Sequence, residues 1–116
     1  MKTVQVTRPG VMNLIDKEIP DIQKDNEVRI RVKIVGICGS DMHIYNGSNP
    51  FAVYPRVIGH EVAGEIDAVG KNVSRFNRGD KVVIEPIHTC GKCYACRIGR
   101  RNVCEKLEVY GVHRDG

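Results

Sequence analysis

Hydrophobic and polar residues alternate along several short stretches of the chain. The clearest stretch is 28–37, where Val or Ile at positions 28, 30, 32 and 34 alternates with Arg or Lys at positions 29, 31 and 33. A period of two is typical of a β-strand with one face buried. Further strands are predicted at 2–7, 12–19, 57–69 (interrupted by Gly59 and Gly64) and 81–85. Because the strands are short and turn residues are frequent, the pattern predicts a mainly β domain, a barrel or a sandwich.

Only one helix is predicted, over 40–45. Ser40 or Asp41 is expected to be its N-cap residue, because short polar side chains accept hydrogen bonds from the first free N–H groups of a helix. Asn46 and Gly47 are expected to end the helix. Residues 49–55 are rich in turn formers and predict a loop.

The composition fits one domain in an intracellular setting. The chain has 116 residues with 41% hydrophobic and 5% aromatic residues, which predicts a single β-branched core. Residues 1–9 lack the apolar stretch of a secretory signal, and no apolar run approaches the length of a membrane span. We therefore expect a cytoplasmic protein that is not membrane-bound, with its five cysteines as thiols or thiolates.

The formal net charge of +4 raises the question of nucleic-acid binding. The strongest basic cluster is short and lies among cysteines: Lys92, Arg97, Arg100 and Arg101. Few aromatic residues are present to stack on bases, so a solvated face is favoured over a nucleic-acid surface.

Four of the cysteines follow the spacing C-x2-C-x2-C-x7-C, at Cys90, Cys93, Cys96 and Cys104. Four thiolates at this spacing can surround one Zn²⁺ tetrahedrally. Since no coordination position would remain open, we predict a structural zinc that holds a loop lacking a hydrophobic core of its own. The basic cluster would partly compensate the negative charge of such a site.

Two other interpretations of these cysteines stay open. An iron–sulfur cluster is one, although the bacterial ferredoxin pattern has three residues before its last cysteine and a proline after it, whereas here there are seven and then Glu105. Disulfides are the other, and the expected compartment disfavours them.

A second candidate metal site involves the remaining cysteine. Cys38, His60 and a carboxylate such as Glu61 would leave one coordination position free for water or substrate, as a catalytic zinc requires. Asp41 is the candidate acceptor for the other ring N–H of His60.

Each of these residues also has an ordinary structural explanation. Cys38 would serve as a small buried hydrophobic residue, Ser40 and Asp41 as helix caps, and His43 and His60 as hydrogen-bonded structural histidines. The pattern of residue types alone leaves the second site open.

Three motifs together resemble the zinc-containing medium-chain alcohol dehydrogenases. The run from Gly59 to Val73 reads G-H-E-x2-G-x5-G-x2-V, and the run from Gly36 to His43 reads G-I-C-G-S-D-x-H. The cysteine quartet follows in the position of that family's structural zinc lobe. The resemblance covers essentially the whole chain and implies a GroES-like β-barrel with a short zinc-binding lobe and little helix.

The resemblance also implies roles for individual residues. Cys38, His60 and Glu61 would bind the catalytic zinc, and the quartet Cys90, Cys93, Cys96 and Cys104 would bind the structural zinc. The zinc would lower the pKa of a bound hydroxyl, so that an alkoxide can exist at neutral pH and give hydride to a nicotinamide.

Three further residues take roles from the same resemblance. Ser40 and His43 would relay the proton of the alcohol to solvent, and Asp41 would orient His60.

Finer details look closest to the polyol and sugar-acid branch of the family. They are Asn49-Pro50-Phe51, the run from Tyr54 to Glu61 and the run from Gly111 to Gly116. This branch includes sorbitol, threonine and idonate or galactonate dehydrogenases and the starvation-sensing dehydrogenase-like proteins. It implies an alcohol, polyol or sugar-acid substrate, NAD or NADP as cofactor, and a homo-oligomer.

The chain contains no G-x-G-x-x-G motif and no alternation of strand and helix. We therefore expect residues 1–116 to be the GroES-like N-terminal catalytic domain, truncated before the Rossmann domain and inactive alone. The alternatives are a zinc-stabilised module that binds nucleic acid or protein, and a regulatory protein that keeps the enzyme scaffold without turnover.

Overall fold

The computed structural model describes all 116 residues, and strands predominate. The eight strands are β1 (Lys2–Arg8), β2 (Val11–Asp16), β3 (Val28–Gly36), β4 (Arg56–Val57), β5 (Glu61–Val69), β6 (Lys81–Val83), β7 (Ile87–His88) and β8 (Glu108–Val109). The helices are α1 (Gly39–Asn46), α2 (Tyr94–Arg97) and a 3-10 turn at Arg101–Val103. The mainly β prediction is confirmed. No helix is both long enough and apolar enough to cross a membrane.

The strands form three small antiparallel sheets. Their orders are β2-β1-β4, β3-β5-β6 and β7-β8. Pairing of β3 with β5 runs from Val28 opposite Val69 to Gly36 opposite Glu61. This register brings the end of β3 beside the start of β5, where two of the predicted site segments meet.

The core is small and joins α1 to the first sheet. Only 14 of the 116 residues are buried, and the main cluster consists of Val6, Ile44 and Val112. Val6 lies on β1, Ile44 on α1, and Val112 follows β8. These three side chains therefore fix α1 and the segment after β8 against the same sheet.

Strand β3 has the predicted alternation but not the predicted burial. Val32 is 52% exposed and Ile34 is 68% exposed, and Val83 on β6 is 78% exposed. Ile34 and Val83 line a groove of about 270 Å³ that also includes Val62 and Glu61. The expectation of a half-buried strand was wrong because nothing in the chain packs over this face.

Several element boundaries differ from the sequence expectations. The stretch 57–69 divides into β4 and β5 at Gly59, whose φ of 106° is a left-handed conformation that favours glycine. Gly64 lies within β5 instead of interrupting it. Strand β2 ends at Asp16 and β6 at Val83, both before the expected ends.

Helix α1 forms where it was predicted, but with a different N-cap. Cys38 is the N-cap residue, so the assignment to Ser40 or Asp41 was wrong. Asp41 instead occupies the third helical position, and its carboxylate accepts the Cys38 backbone N–H at 2.9 Å. Gly47, with a φ of 78°, ends the helix as expected.

Candidate metal centres

The four cysteines of the quartet lie close together in the structure. The sulfur atoms of Cys90, Cys93, Cys96 and Cys104 all lie within 4.8 Å of one another. Cys93 caps α2, Cys96 lies within α2, and Cys104 follows the 3-10 turn. The lobe around them is held by turns and two-stranded pairing rather than by a core, as the spacing predicted.

Backbone N–H groups point at these sulfur atoms. Lys92 and Cys93 donate to Cys90 Sγ at 3.4 Å each, and Cys90 and Lys106 donate to Cys104 Sγ at 3.3 and 3.4 Å. The donors from Lys92 and Cys93 lower the pKa of Cys90 to about 6. The loop is therefore shaped to hold thiolate at this position.

Ionisation of all four thiols is opposed by burial and by the closeness of the sulfur atoms. Burial, and then the neighbouring cysteines, raise the pKa of Cys96 to about 12. Thiolates this close repel one another, and a divalent ion between them would remove that repulsion. The all-sulfur donor set thus fits a thiophilic ion such as Zn²⁺.

The second cluster combines three residue types. Cys38, His60 and Glu61 bring one ligand atom each within 4.8 Å of the others. Cys38 caps α1, whereas His60 directly precedes β5 and Glu61 begins it, so two segments of the chain contribute. His60 is buried and Glu61 is exposed. The mixed sulfur, nitrogen and oxygen set is one that binds zinc with a position left open.

Asp41 joins the two segments that carry this cluster. Its Oδ2 accepts the Cys38 N–H at 2.9 Å, and its Oδ1 accepts the Gly59 N–H at 3.3 Å. Asp41 Oδ1 also lies 3.5 Å from His60 Nδ1, a buried atom without a hydrogen-bond partner. The carboxylate thus reaches the imidazole that it was predicted to orient, without a formed hydrogen bond between them.

The two predicted relay residues have different partners. Ser40 Oγ lies 3.4 Å from His60 Nε2, beside the ligand cluster. His43 is exposed, and its Nδ1 lies 3.0 Å from Ser48 Oγ, so the structure pairs His43 with Ser48 and not with Ser40. Ser48 was missed by the sequence analysis, because a serine just after a helix carries no distinctive spacing.

Glu61 approaches β3 closely at Gly36. A Cβ atom at Gly36 would collide with the Glu61 carboxylate, so a side chain at this position would force Glu61 to move. The apolar groove described above also begins at Glu61. The second cluster is therefore open to a ligand on one side, unlike the quartet.

The comparisons with known proteins identify the class. Residues 24–116 match the family described as "Alcohol dehydrogenase GroES-like domain". The chain belongs to this family, which confirms the resemblance found from its motifs.

Individual relatives agree with this assignment. The chain is 52% identical to the starvation-sensing protein RspB of Escherichia coli K12, over 100% of this chain and 34% of that protein. It is 51% identical to L-galactonate-5-dehydrogenase of Escherichia coli K12, over 86% and 29% of the two chains. Relatives of this kind are oxidoreductases.

One solved structure is that of the short chain alcohol dehydrogenase rspB of Escherichia coli CFT073, in complex with NADH. It superposes on all of this chain with a TM-score of 0.90 and 51% identity, over 33% of its own length. The chain thus spans about a third of the length of the relatives it matches.

Proposed function

We propose that this chain is the zinc-binding catalytic domain of an NAD(P)-dependent dehydrogenase that oxidises an alcohol group of a polyol or sugar acid. The observation that carries the proposal is the convergence of Cys38, His60 and Glu61 from two chain segments, on a face open to an apolar groove. The names of its relatives support the same reaction class and a nicotinamide cofactor.

Cys38, His60 and Glu61 would hold the catalytic zinc, and the quartet would hold a structural one. At the site formed by Cys38, His60 and Glu61, called the open site below, a zinc ion would supply Lewis acidity that lowers the pKa of a bound hydroxyl group. The buried Asp41 fixes Cys38 and Gly59 through their backbone N–H groups, and its carboxylate lies 3.5 Å from the imidazole of His60. The residues therefore preorganise the ligand set before substrate arrives.

Proton removal from the alcohol would begin at Ser40, whose hydroxyl lies next to His60. His43 is on the same helix and exposed, so it can exchange the proton with water. Because His43 contacts Ser48, a bridging hydroxyl would have to connect Ser40 with His43. The hydride acceptor would be bound by sequence outside the GroES-like domain, so residues 1–116 alone should not turn over.

Metal content and activity together test the proposal. The whole dehydrogenase should contain two zinc ions per chain and reduce NAD or NADP with a panel of polyols and sugar acids. Cys38→Ala should lose one zinc ion and reduce kcat/KM by more than about 100-fold, since ligand loss exceeds the 10- to 100-fold effect of ligand partners. One zinc ion in the unaltered protein, or full activity in Cys38→Ala, would refute the catalytic site.

The remaining alternatives predict other results. A nucleic-acid-binding module would use the exposed Lys92, Arg97, Arg100 and Arg101 and would show salt-dependent binding to DNA with one zinc ion per chain. A regulatory protein without turnover would contain two zinc ions and reduce no nicotinamide with any substrate of the panel.

A further inference from the structure

The segment after β8 folds back onto the strand that leads to His60. The Val57 N–H donates to Asp115 Oδ1 at 3.0 Å, and the Gly116 N–H donates to the Val57 carbonyl at 3.0 Å. Both polar groups of Val57 are thus held by two consecutive residues. Val57 is itself buried and lies three residues before His60.

Asp115 is connected on its other side as well. Lys17 Nζ donates to Asp115 Oδ2 at 3.1 Å, and Arg56 donates to Oδ1 at 3.3 Å. The Lys17 side chain is solvated, so its ion pair contributes little, whereas the Arg56 side chain is only 14% exposed and helps to anchor Asp115. The contact of consequence is the charge-assisted hydrogen bond to the backbone of Val57.

The same segment also supports Gly59. Gly111 lies so close to Gly59 that a Cβ atom at position 111 would come within 2.7 Å of the Gly59 carbonyl oxygen. Gly59 in turn donates its N–H to Asp41, which accepts the N–H of Cys38. A continuous series of contacts therefore runs from Asp115 through Val57 and Gly59 to Asp41 and Cys38.

We propose that Asp115 is a positioning residue of the open metal site, holding Val57 so that the following Gly59-His60-Glu61 segment presents its ligands toward Cys38. The inference rests on the proposed function, because it takes Cys38, His60 and Glu61 as metal ligands. Asp115 touches none of these ligands itself, and neither the motifs nor the comparisons assign it a role.

Cobalt binding to the purified chain tests the proposal, because Co²⁺ bound to thiolate and imidazole absorbs visible light. The part of the spectrum that disappears in Cys38→Ala reports the open site, and the remainder reports the quartet. Asp115→Ala should weaken Co²⁺ affinity at the open site by about 10-fold or more and leave the quartet unchanged. Asp115→Asn keeps an oxygen that can accept the Val57 N–H and should restore affinity to within about threefold.

The matched control is Asp16→Ala. Asp16 also pairs with a lysine, Lys2 at 2.6 Å, but the structure gives its carboxylate no contact with the ligand segment. Asp16→Ala should leave both sites unchanged. Unchanged affinity at the open site in Asp115→Ala, or equal weakening of both sites in Asp115→Asn, would overturn the proposal.

Amide hydrogen exchange in the unaltered chain gives a test that does not depend on a variant folding. Because coupling is reciprocal, filling the open site should slow exchange at Val57 and Gly116 together with Gly59. Cys38→Ala, with only its quartet filled, should not show this change. If metal slows exchange at Gly59 but not at Val57 and Gly116, Asp115 does not position the site.

If Cys38, His60 and Glu61 do not bind metal, so that the proposed function is wrong, the cobalt spectra give a different result. In that case the spectrum of the unaltered chain and that of Cys38→Ala would be identical, before any change at Asp115 is considered.

Discussion

The two candidate metal centres are built in opposite ways. The quartet takes all its candidate ligands from 15 consecutive residues, Cys90–Cys104, and none of them belongs to the main buried cluster. The open site takes Cys38 from the start of α1 and His60 from just before β5, and hydrogen bonds of Asp41 connect Cys38 with Gly59. The first arrangement would need an ion to hold the loop, whereas the hydrogen bonds of Asp41 hold the second without one.

Because of this difference, we expect the quartet to affect stability and the open site to affect catalysis. A closed, all-sulfur site can only hold structure, because no ligand position is free for substrate. The open site has one exposed candidate ligand, Glu61, which also lines an apolar groove. Variants at the two sites should therefore differ in what they damage.

The largest effect is expected from the quartet. Cys104→Ala removes a buried ligand, and structural zinc in small zinc-binding peptides contributes about 10 to 16 kcal/mol to folding. Amides of residues 90–106 should lose their protection from hydrogen exchange, while those of β3 and β5 keep theirs. Uniform loss of protection in both regions would show that the lobe is not an independent unit.

Loss of a candidate ligand at the open site should reduce activity but leave the fold intact. His60→Ala should remove one metal ion and reduce kcat/KM of the whole dehydrogenase by more than about 100-fold, or about 2.7 kcal/mol. Because Asp41 still bonds to Cys38 and Gly59, exchange protection of α1 and β5 should change little. Unfolding of α1 in this variant would contradict the claim that the protein preorganises the site.

The quartet was predictable from the sequence because its ligands are local. The spacing of its cysteines is sufficient to infer one cluster, and the structure brings all four sulfur atoms together. The family resemblance was needed to choose Cys38, His60 and Glu61, since their proximity depends on the β3–β5 register. Asp115 lies in the Gly111–Gly116 run that resembles the family, but neither route gave it a role, because its contacts with Val57 and Lys17 join residues 58 and 98 positions apart.

The exposed face of β3 also depends on long-range packing that the sequence pattern does not predict. Alternation in the sequence specifies which residues share a face, but burial depends on what packs over that face. Ile34 and Val83 share an apolar surface that the chain itself leaves uncovered. The period was therefore predictable, and the burial was not.

The effect of replacing a glycine by alanine can be compared between the two centres, and it should be smaller than that of losing a candidate ligand. Gly91 in the quartet lobe and Gly111 beside the open site both have positive φ, 68° and 76°. Alanine in this conformation costs about 1 to 2 kcal/mol at either position. Only at Gly111 would the added Cβ meet a neighbouring backbone, at Gly59, whereas nothing lies within 4 Å at Gly91.

Gly111→Ala should therefore destabilise the chain more than Gly91→Ala, and it should also weaken metal binding at the open site. The midpoint of thermal unfolding and the Co²⁺ spectrum check the two parts. Equal decreases of the thermal midpoint in both variants would mean that backbone strain alone accounts for the loss of stability.

The smallest effect concerns acid and the strands that carry the open site. The Arg29 hydrogen bond, opposed by burial and supported by Arg31, lowers the pKa of Asp67, so this carboxylate fastens β5 to β3. A carboxyl whose pKa is lower in the folded state contributes stability that is fully present above its unfolded pKa of about 3.9 and is lost as pH falls through the folded pKa. The thermal midpoint of the unaltered chain should thus fall below about pH 4 more steeply than that of Asp67→Asn, in which this titration is absent. Parallel curves would show that the Asp67 pair does not contribute to holding β3 on β5, and the preorganisation of the open site would then depend on Asp41 and on the segment after β8.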